Sequence, residues 1–377
     1  MFRKILFWSH LIAGVLAGVI ILIMSVTGVL LMYEKQIVAY VDRSAAGPGM
    51  ASAVNAPESA RMGVEALLAN VRSVGGAVPS NITLRADPQD PFTVTVDRET
   101  VMVNPATGQP ISAPPAGVRA FFRFVTDWHR WLGVTGENRA NARMITGVSN
   151  LLFLFIVVSG LYIWLPRVWT WNSVRAVTLF RGGLSGKARD FNWHNFTGFW
   201  CLVPLFFVVM SGVVISYPWA SNMVYRAYGM EAPSQGKGKG KGGESRQVAE
   251  ANLAGIDVLV AEAKTQVPEW RTITFPIPTS DKAPLVFAID TGSGGQPQKK
   301  STLTLDRATG SVVKFETFDK QEPGRQARTW MRFVHTGEYY GLTGQTIAGI
   351  VSAGGALLVW TGLALAYRRF RVWLARR

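Results

Sequence analysis

The chain is 377 residues long, 48% of its residues are hydrophobic, and its mean hydropathy is positive. This composition indicates an integral membrane protein with sizeable polar parts. A single cysteine excludes an internal disulfide and a cysteine-type metal site. The formal net charge of +15 is interpreted as a topology signal, so no nucleic-acid partner is expected.

Four segments are long and apolar enough to cross a hydrocarbon core of about 30 Å, which takes roughly 20 apolar residues. They are residues 5–32, 144–165, 196–217 and 347–367, and none contains a charged residue. The first follows basic residues as a signal peptide would, but its apolar stretch is too long for one and no small-residue cleavage site follows Met32. We therefore expect it to remain as a membrane anchor. Cys201 lies in the third span and is predicted to be buried there.

Basic residues in the short flanks predict the orientation of the spans, because Lys and Arg stay on the cytoplasmic side. One side would carry Arg3 and Lys4, the link 167–189 with five basic residues, and the tail 368–377 with five arginines. This side is predicted to be cytoplasmic. Both termini then lie inside, and the polar stretches between the spans lie outside.

Two polar stretches, residues 34–120 and 218–328, separate the spans and resemble each other. In the first, spacing predicts a helix over 58–71 and strands over 82–85, 92–96 and 101–104. In the second, it predicts a helix over 256–267 and strands over 271–275, 285–289 and 301–305. Each series ends in a D/N-x-x-T-G turn, at 104–108 and 306–310. The Gly-Lys segment 235–243 is interpreted as a flexible linker without chemistry.

The four histidines of the chain form a repeated pattern, with one at the edge of each span. His10 is followed four residues later by Gly14, and His194 is followed at the same spacing by Gly198. A hydroxyl–glycine dipeptide also recurs, with its glycine 18 residues after each of these histidines: Thr27-Gly28 and Ser211-Gly212. The second and fourth spans follow similar Arg-Phe-Val segments, which carry His129 and His335. The chain is therefore a twofold internal repeat.

By the predicted topology, His10 and His194 lie at the inner edge and His129 and His335 at the outer edge. A six-coordinate iron takes two imidazoles on opposite faces of one macrocycle, and the helices of a bundle are able to supply them. Gly14 and Gly198 would let a porphyrin approach the backbone. The alternative is that each histidine is an interfacial polar residue. A non-haem di-metal centre is disfavoured, because no span offers Asp or Glu.

Aromatic and basic residues cluster by the outer histidines. The aromatic ones form either an interfacial belt or a docking surface for an iron complex. Arginines there suit haem propionates or an anionic chelate. The residues predicted for substrate are Trp128, Arg130, Trp131, Tyr339 and Tyr340, and those predicted for propionates or chelate are Arg123, Arg130 and Arg332.

Two helix-plus-strand modules with D/N-x-x-T-G turns, four spans and histidines at their edges resemble the PepSY-associated transmembrane family over nearly the whole chain. The resemblance implies an all-α four-helix transmembrane bundle with a periplasmic α+β domain of two PepSY-like modules, in the bacterial inner membrane. Its nearest functional type is the ferric-siderophore reductases. That type implies His10, His129, His194 and His335 as axial ligands of two b-type haems. No flavin or nicotinamide domain is recognised, so the electron donor would be another molecule.

These expectations divide the chain into eight parts. The transmembrane helices are 1–33, 194–217 and the later parts of 121–166 and 329–367, and an interfacial helix precedes each of the last two. The modules are 34–120 and 218–328, and the cytoplasmic loop and tail are 167–193 and 368–377. The predicted function is electron transfer from the cytoplasmic side to a periplasmic acceptor, with ferric siderophore first. Two alternatives stay open: a haem subunit that serves another acceptor such as quinone, and a non-catalytic protein that binds or inhibits a periplasmic partner.

Overall fold

The structure is a computed structural model, and it describes residues 1–54, 61–75, 79–96, 99–111, 116–165, 170–233, 253–278 and 283–377. The Gly-Lys segment 235–243 lies outside these residues. The described chain forms two compact units. One, the bundle unit, contains residues 1–34, 120–232 and 327–377. The other, the sheet unit, contains residues 35–119 and 233–326.

Eleven α-helices lie within the described residues. They are α1 (Phe2–Leu31), α2 (Glu34–Val54), α3 (Val64–Gly75), α4 (Ala116–Trp131), α5 (Arg139–Trp164), α6 (Trp171–Thr178), α7 (Gly186–Ser216), α8 (Pro218–Ala227), α9 (Ile256–Gln266), α10 (Pro323–His335) and α11 (Gly341–Leu374).

Four of these helices are long and apolar enough to cross a membrane: α1, α5 with the turn before it, α7, and α11 with the turn before it. They cover the four spans predicted from hydropathy to within one residue at the C-terminal ends, and the four candidate spans are thus confirmed. In the bundle α1 packs against α5 and α11, and α7 packs against the same two helices. Each spanning helix therefore has two spanning neighbours, one from its own half of the repeat and one from the other half.

Small residues allow the spanning helices to approach closely. A Cβ atom built at Gly354 of α11 would lie 2.5 Å from Sγ of Cys201 on α7, and one at Gly18 of α1 would lie 3.1 Å from Leu363. Side chains at these positions would push the helices apart, which is the role of glycine at many membrane helix contacts. Cys201 is buried and packs among apolar side chains, as predicted.

The shorter helices of the bundle unit include α4 and α10, which precede the second and fourth spans as the predicted interfacial helices do. Their apolar residues fall on one side, where Phe122 and Val125 of α4 are buried. Two further helices, α6 and α8, were not predicted from the sequence. The bundle unit includes α8, although the sequence interpretation places residues 218–227 in the second polar stretch.

The sheet unit contains one antiparallel sheet in the order β3-β2-β1-β4-β5-β6-β7. The strands are β1 (Asn81–Arg85), β2 (Phe92–Val96), β3 (Glu99–Val103), β4 (Thr272–Pro276), β5 (Leu285–Asp290), β6 (Lys300–Leu305) and β7 (Val312–Thr317). Both polar stretches contribute to it, and β1 pairs with β4 at its centre, where Thr83 faces Thr274. The two predicted helix-plus-strand series thus share one sheet.

Helices α3 and α9 contribute to the apolar core of the sheet unit. Leu67 and Leu68 of α3 and Ile256 and Leu259 of α9 pack with the buried strand residues. The two helices also cap each other: Oδ1 of Asp257 accepts a hydrogen bond from the Val64 amide at 2.5 Å, and Oε1 of Glu65 accepts one from the Asp257 amide at 3.3 Å. Acidic side chains at helix N-termini satisfy free amides and suit the helix dipole. The two series are therefore joined by helix caps as well as strand pairing.

The predicted strands agree with the observed ones to within two residues, and the prediction for β2 has the observed bounds. The predicted helix 58–71 begins at Val64, since residues 61–63 are not helical and 58–60 lie outside the described chain. Both predicted turns are confirmed, with Gly108 and Gly310 at φ +67° and +72°. In each turn the side chain at the first position, Asn104 or Asp306, accepts amide hydrogen bonds from the residues that follow.

Candidate functional site

His129 and His335 are brought together in the bundle unit by the two short helices. His129 lies near the end of α4 and His335 is the last residue of α10. Their rings face each other with centroids 6.3 Å apart and planes at 59°. An imidazole nitrogen binds a transition metal at about 2 Å and the ring centre lies about 1 Å further on, so two imidazoles on opposite sides of one metal ion have centres roughly 6 Å apart. The spacing of this α4/α10 pair fits a single iron ion between the rings.

The hydrogen bonds of His129 indicate which ring nitrogen is free. Its Nδ1 lies 2.9 Å from Oγ1 of Thr27 on α1. The same hydroxyl lies 2.6 Å from the carbonyl of Ile23, and it donates its own hydrogen there because a carbonyl only accepts. The hydroxyl is then the acceptor of an Nδ1–H bond. Nε2 keeps its lone pair, which is the arrangement of an imidazole ligand oriented by a second hydrogen bond.

His335 has the same tautomer, for a more direct reason. Its Nδ1 lies 2.8 Å from the carbonyl of Val208 and 3.2 Å from Oγ of Ser211, both on α7. Since the carbonyl cannot donate, Nδ1 carries the proton and Nε2 is left as the free nitrogen. Each ring of the α4/α10 pair is thus fixed on a different spanning helix.

Burial and proximity keep both rings of this pair neutral near pH 7. Burial, with a smaller contribution from the facing His335, lowers the pKa of His129 to about 4. Burial also lowers the pKa of His335. A neutral imidazole has the lone pair that a metal requires.

His10 and His194 form a second pair, the α1/α7 pair, on the spanning helices themselves. Nδ1 of His10 lies 2.9 Å from Oγ of Ser159 on α5, and Nδ1 of His194 lies 3.0 Å from Oγ1 of Thr361 on α11. The two hydroxyls lie 3.2 Å and 2.7 Å from carbonyls one turn earlier in their own helices. The hydroxyls therefore accept from Nδ1, as Thr27 does, and both rings keep a free Nε2.

Each histidine packs against a glycine that directly follows its hydroxyl partner. Cβ atoms built at these glycines would lie 3.2–3.7 Å from Cε1 of the ring: Gly28 with His129, Gly212 with His335, Gly160 with His10 and Gly362 with His194. The absence of a side chain lets the ring edge approach the helix. The repeat is therefore complete at both pairs, because every histidine is held by a hydroxyl–glycine dipeptide from its own half of the chain.

Sequence reasoning recorded Thr27-Gly28 and Ser211-Gly212 as parts of the repeat but assigned them no partner, and it missed Ser159-Gly160 and Thr361-Gly362. The missed glycines follow the second histidine of each half by 31 and 27 residues, so the repeat is out of register there. The dipeptide alone is a weak signal. It also occurs at Thr146-Gly147, where a Cβ at the glycine would meet the Tyr217 hydroxyl instead.

The two glycines predicted to admit a porphyrin have different surroundings. A Cβ atom at Gly14, one turn after His10, would meet no heavy atom within 4 Å. One at Gly198 would lie 3.6 Å from Cδ2 of Leu358, which is ordinary van der Waals contact. The face of α1 beside His10 is thus open, whereas the matching face of α7 is covered by α11.

The predicted aromatic residues pack among the residues that flank His129 and His335 along the chain. Trp128 packs against Gly133, where a Cβ would lie 3.0 Å from its indole. The Trp131 ring lies 3.4 Å from the Arg139 guanidinium and 4.4 Å from that of Arg130. On the other half, Trp330 Nε1 donates to the Tyr340 hydroxyl at 3.3 Å, and Tyr339 contacts the same indole edge to face.

The predicted arginines are all exposed. Arg123 and Arg130 lie on α4 and Arg332 lies on α10. The Arg332 guanidinium lies 5.7 Å from the Phe333 ring, and Arg130 stacks on Trp131. These side chains lie on the same two helices as the α4/α10 pair and are exposed.

The opposite end of the bundle unit is basic and contains one buried acid. Arg3 donates to the carbonyls of Ile163 and Leu165 at the end of α5. Asp190, one turn before His194 on α7, is 1% exposed and accepts hydrogen bonds from Arg189 and from Arg368 of α11. A buried carboxylate with two guanidinium partners ties α7 to α11 beside the α1/α7 pair.

Within the described part of the chain, no three His, Cys, Asp or Glu side chains come together as a metal cluster. The candidate site therefore consists of two pairs of imidazoles, each with its Nδ1 hydrogen-bonded to the protein and its Nε2 free. This donor set suits the two axial positions of haem iron, whose other four ligands come from the macrocycle.

Two comparisons with known proteins bear on the chain. A family model described as the PepSY-associated TM region matches residues 7–369. A search of curated proteins found no match.

Proposed function

The chain belongs to the PepSY-associated TM region family, and from this premise we propose that it is a di-haem transmembrane oxidoreductase that reduces a ferric chelate. In this proposal each histidine pair holds one b-type haem through Nε2. Haem bound there supplies one-electron transfer. The protein takes electrons from a donor on the cytoplasmic side and delivers them to an acceptor on the periplasmic side.

The observation that carries the proposal is the α4/α10 pair. Two neutral rings with centroids 6.3 Å apart are each anchored at Nδ1 by a span, which leaves both Nε2 atoms for a ligand, and this centroid spacing is the one expected for two imidazoles on one iron. Interfacial histidines without a ligand have no need of a second histidine ring at this spacing, as His129 has in His335. The Nδ1 bonds to hydroxyls and carbonyls hold the ring orientation, as partners behind a metal ligand do.

The second pair supports transfer across the membrane. His10 and His194 lie at the end of the bundle that carries Arg3, Arg189 and Arg368. This basic end is the cytoplasmic one by the distribution of Lys and Arg. The α4/α10 pair lies toward the opposite end of α1 and α7, so the two sites would lie near the two surfaces of the membrane.

Reduction of iron is the chemistry that best uses an electron delivered to the outside. Ferric iron is smaller and more highly charged than ferrous iron, so hard oxygen ligands hold it more tightly. One electron converts the ferric chelate to a ferrous chelate, from which the metal dissociates more readily. The finer assignments belong to the same proposal: a bacterial inner-membrane location, termini in the cytoplasm, and a sheet unit made of two PepSY-like modules in the periplasm.

A groove beside α10 favours a second candidate, in which the acceptor is a quinone. The groove has a volume of about 410 Å³ and is lined almost wholly by apolar side chains, among them Met210, Trp330 and Met331. Met210 precedes Ser211, which contacts His335. Ligand pockets of this size and character accept flat apolar molecules.

The visible absorption spectrum of the detergent-purified protein tests the proposal. We expect low-spin bis-histidine bands in the oxidised and dithionite-reduced forms and two haems per chain. Ferric siderophore added to the reduced protein should reoxidise it, with ferrous iron trapped by a chromogenic chelator. Reoxidation by a soluble quinone alone would favour the second candidate. Colourless protein from haem-replete cells would contradict both and favour a non-catalytic module.

A further inference from the structure

We infer that the outer end of the bundle unit carries a binding site for an anionic, carboxylate-bearing metal chelate, formed by Arg130, Arg143 and Arg332. The inference names the substrate class of the proposed reductase and in that respect rests on the proposed function. The binding site itself is inferred from the positions and charges of the three arginines.

The three arginines lie on α4, α5 and α10, near His129 and His335 along the chain or at the start of the following span. Arg130 directly follows His129, Arg332 comes three residues before His335 and so about one helical turn away, and Arg143 lies in the second turn of α5. All three side chains are exposed. A chelate held by them would lie close to the α4/α10 pair. Electron transfer from that site to the chelate requires a short distance.

No carboxylate in the described part of the chain pairs with any of these three guanidiniums. Asp127, the acid nearest to them in sequence, pairs with Arg139 at 2.9 Å. The Thr146 hydroxyl lies 3.1 Å from the carbonyls of both Arg130 and Arg143, and the neighbouring rings of His129 and His335 bring α10, which carries Arg332, beside the end of α4. The cluster is therefore a region of uncompensated positive charge, and like charges at this range favour a bound anion.

Membrane insertion does not account for the cluster. Lys and Arg in short flanks are retained on the cytoplasmic side, and in the proposed topology Arg130, Arg143 and Arg332 lie on the other side, within a few turns of the spans. Their charges act against the orientation that Arg3 and the arginine-rich tail favour. A ligand at the outer surface gives a reason for arginine at these positions.

Carboxylate and phosphate both suit the local geometry, and the proposed reaction with a ferric chelate selects the carboxylate. A guanidinium presents two parallel N–H donors to a carboxylate, and rings hold its plane in place. Arg130 stacks on Trp131 at 4.4 Å, and Arg332 lies over Phe333 at 5.7 Å. Because the guanidiniums are exposed, they face an incoming chelate rather than the carboxylates of a buried porphyrin.

Equilibrium dialysis of gallium(III) citrate against the purified full-length protein tests the inference, with bound gallium measured by mass spectrometry. Gallium is redox-inert, so the result does not depend on electron transfer. We expect saturable binding that weakens with salt, and at least about tenfold weaker binding in the Arg130→Gln/Arg332→Gln variant, because each charge-assisted bond contributes about that factor. Arg226→Gln, an exposed arginine of α8 outside the cluster, is the matched control and should bind as the wild type does.

Three results would overturn the inference: no binding to the wild type, equal binding by the double variant, or equal weakening by Arg226→Gln. A double variant that elutes as the wild type does but loses one haem and keeps its gallium binding would assign the arginines to propionates and also overturn it. The lysine variants Arg130→Lys and Arg332→Lys keep the positive charge but lose the two parallel N–H donors of a guanidinium, so we expect intermediate binding.

The test also separates this inference from the proposed function. If the protein is colourless but binds gallium citrate through the arginines, the reductase proposal fails and the anion site stands. If the protein holds two haems and reduces a cationic ferric trihydroxamate faster than ferric citrate, the reductase proposal stands and the anion site fails. We expect the double variant to be reoxidised more slowly by ferric citrate than the wild type is, with reoxidation by the cationic trihydroxamate unchanged.

Discussion

The two histidine pairs have the same kind of hydroxyl partner but differ in which helices carry the rings. In the α1/α7 pair the rings lie on spanning helices and the hydroxyls that hold them lie on α5 and α11. In the α4/α10 pair the rings lie on short helices outside the candidate spans, and the hydroxyls lie on the spanning helices α1 and α7. The twofold repeat thus forms two sites with the same kind of ring–hydroxyl contact. The α4/α10 rings depend more on individual contacts, because the bilayer does not hold their helices in place.

The largest expected effect comes from removing one ring of each pair. His335→Ala should lose the outer haem and all ferric-chelate reduction while it keeps the fold, because one imidazole cannot complete a bis-histidine site. His10→Ala should lose the other haem. Haem quantified per chain should fall from two to one in each variant, with elution on size exclusion unchanged.

If His335→Ala kept its reductase activity after losing the outer haem, this prediction for the α4/α10 pair would be wrong. It would also fail if either alanine variant lost both haems, since the two sites would then not be independent.

A smaller effect is expected from the glycines beside the rings. Gly212→Val should displace His335, because a Cβ there would lie 3.2 Å from Cε1 of the ring and 2.9 Å from Nδ2 of Asn150. Overpacking of this kind costs about 1–3 kcal/mol, and we expect most of the outer haem to be lost on purification. Gly14→Ala is the matched control on α1, where no heavy atom lies within 4 Å of the Cβ position.

Haem content after detergent purification measures this prediction. If Gly14→Ala lost as much haem as Gly212→Val, close packing against the ring would not be the cause. A porphyrin seated against the open face of α1 would be the better explanation.

Part of this arrangement is predictable from sequence. The spans follow from long apolar runs without charge, and the strands follow from alternation, because both patterns are local. The hydroxyl partners Ser159 and Thr361 are not predictable, since they depend on how far each helix is rotated and how deep each ring lies. The loops between His129 or His335 and the following span differ in length, so the spacing from each histidine to the next hydroxyl–glycine dipeptide differs between the two halves.

Two elements of the sheet unit were missed for local reasons. The edge strand β7 exposes both Val312 and Val313 and packs mainly through Phe315, so its residues do not alternate. Helix α2 contains Gly47-Pro48-Gly49, which ordinarily ends a helix. It is stabilised by tertiary contacts, in which Ala46 and Met50 pack against Ala106 and Ile111.

The smallest effect distinguishes the two rings within the α4/α10 pair. The hydrogen-bond partner at Nδ1 of His129 is the Thr27 hydroxyl, 2.9 Å away, with the Met24 carbonyl acting less directly, whereas Nδ1 of His335 has the Val208 carbonyl within hydrogen-bond distance at 2.8 Å in addition to Ser211. Thr27→Val should therefore weaken haem retention by about tenfold, which is the usual cost of losing a partner behind a metal ligand. Ser211→Ala should cost much less, because the carbonyl still fixes the tautomer. Haem loss to excess apomyoglobin measures both variants, and equal loss rates would show that the hydroxyls, not the carbonyl, orient the two rings.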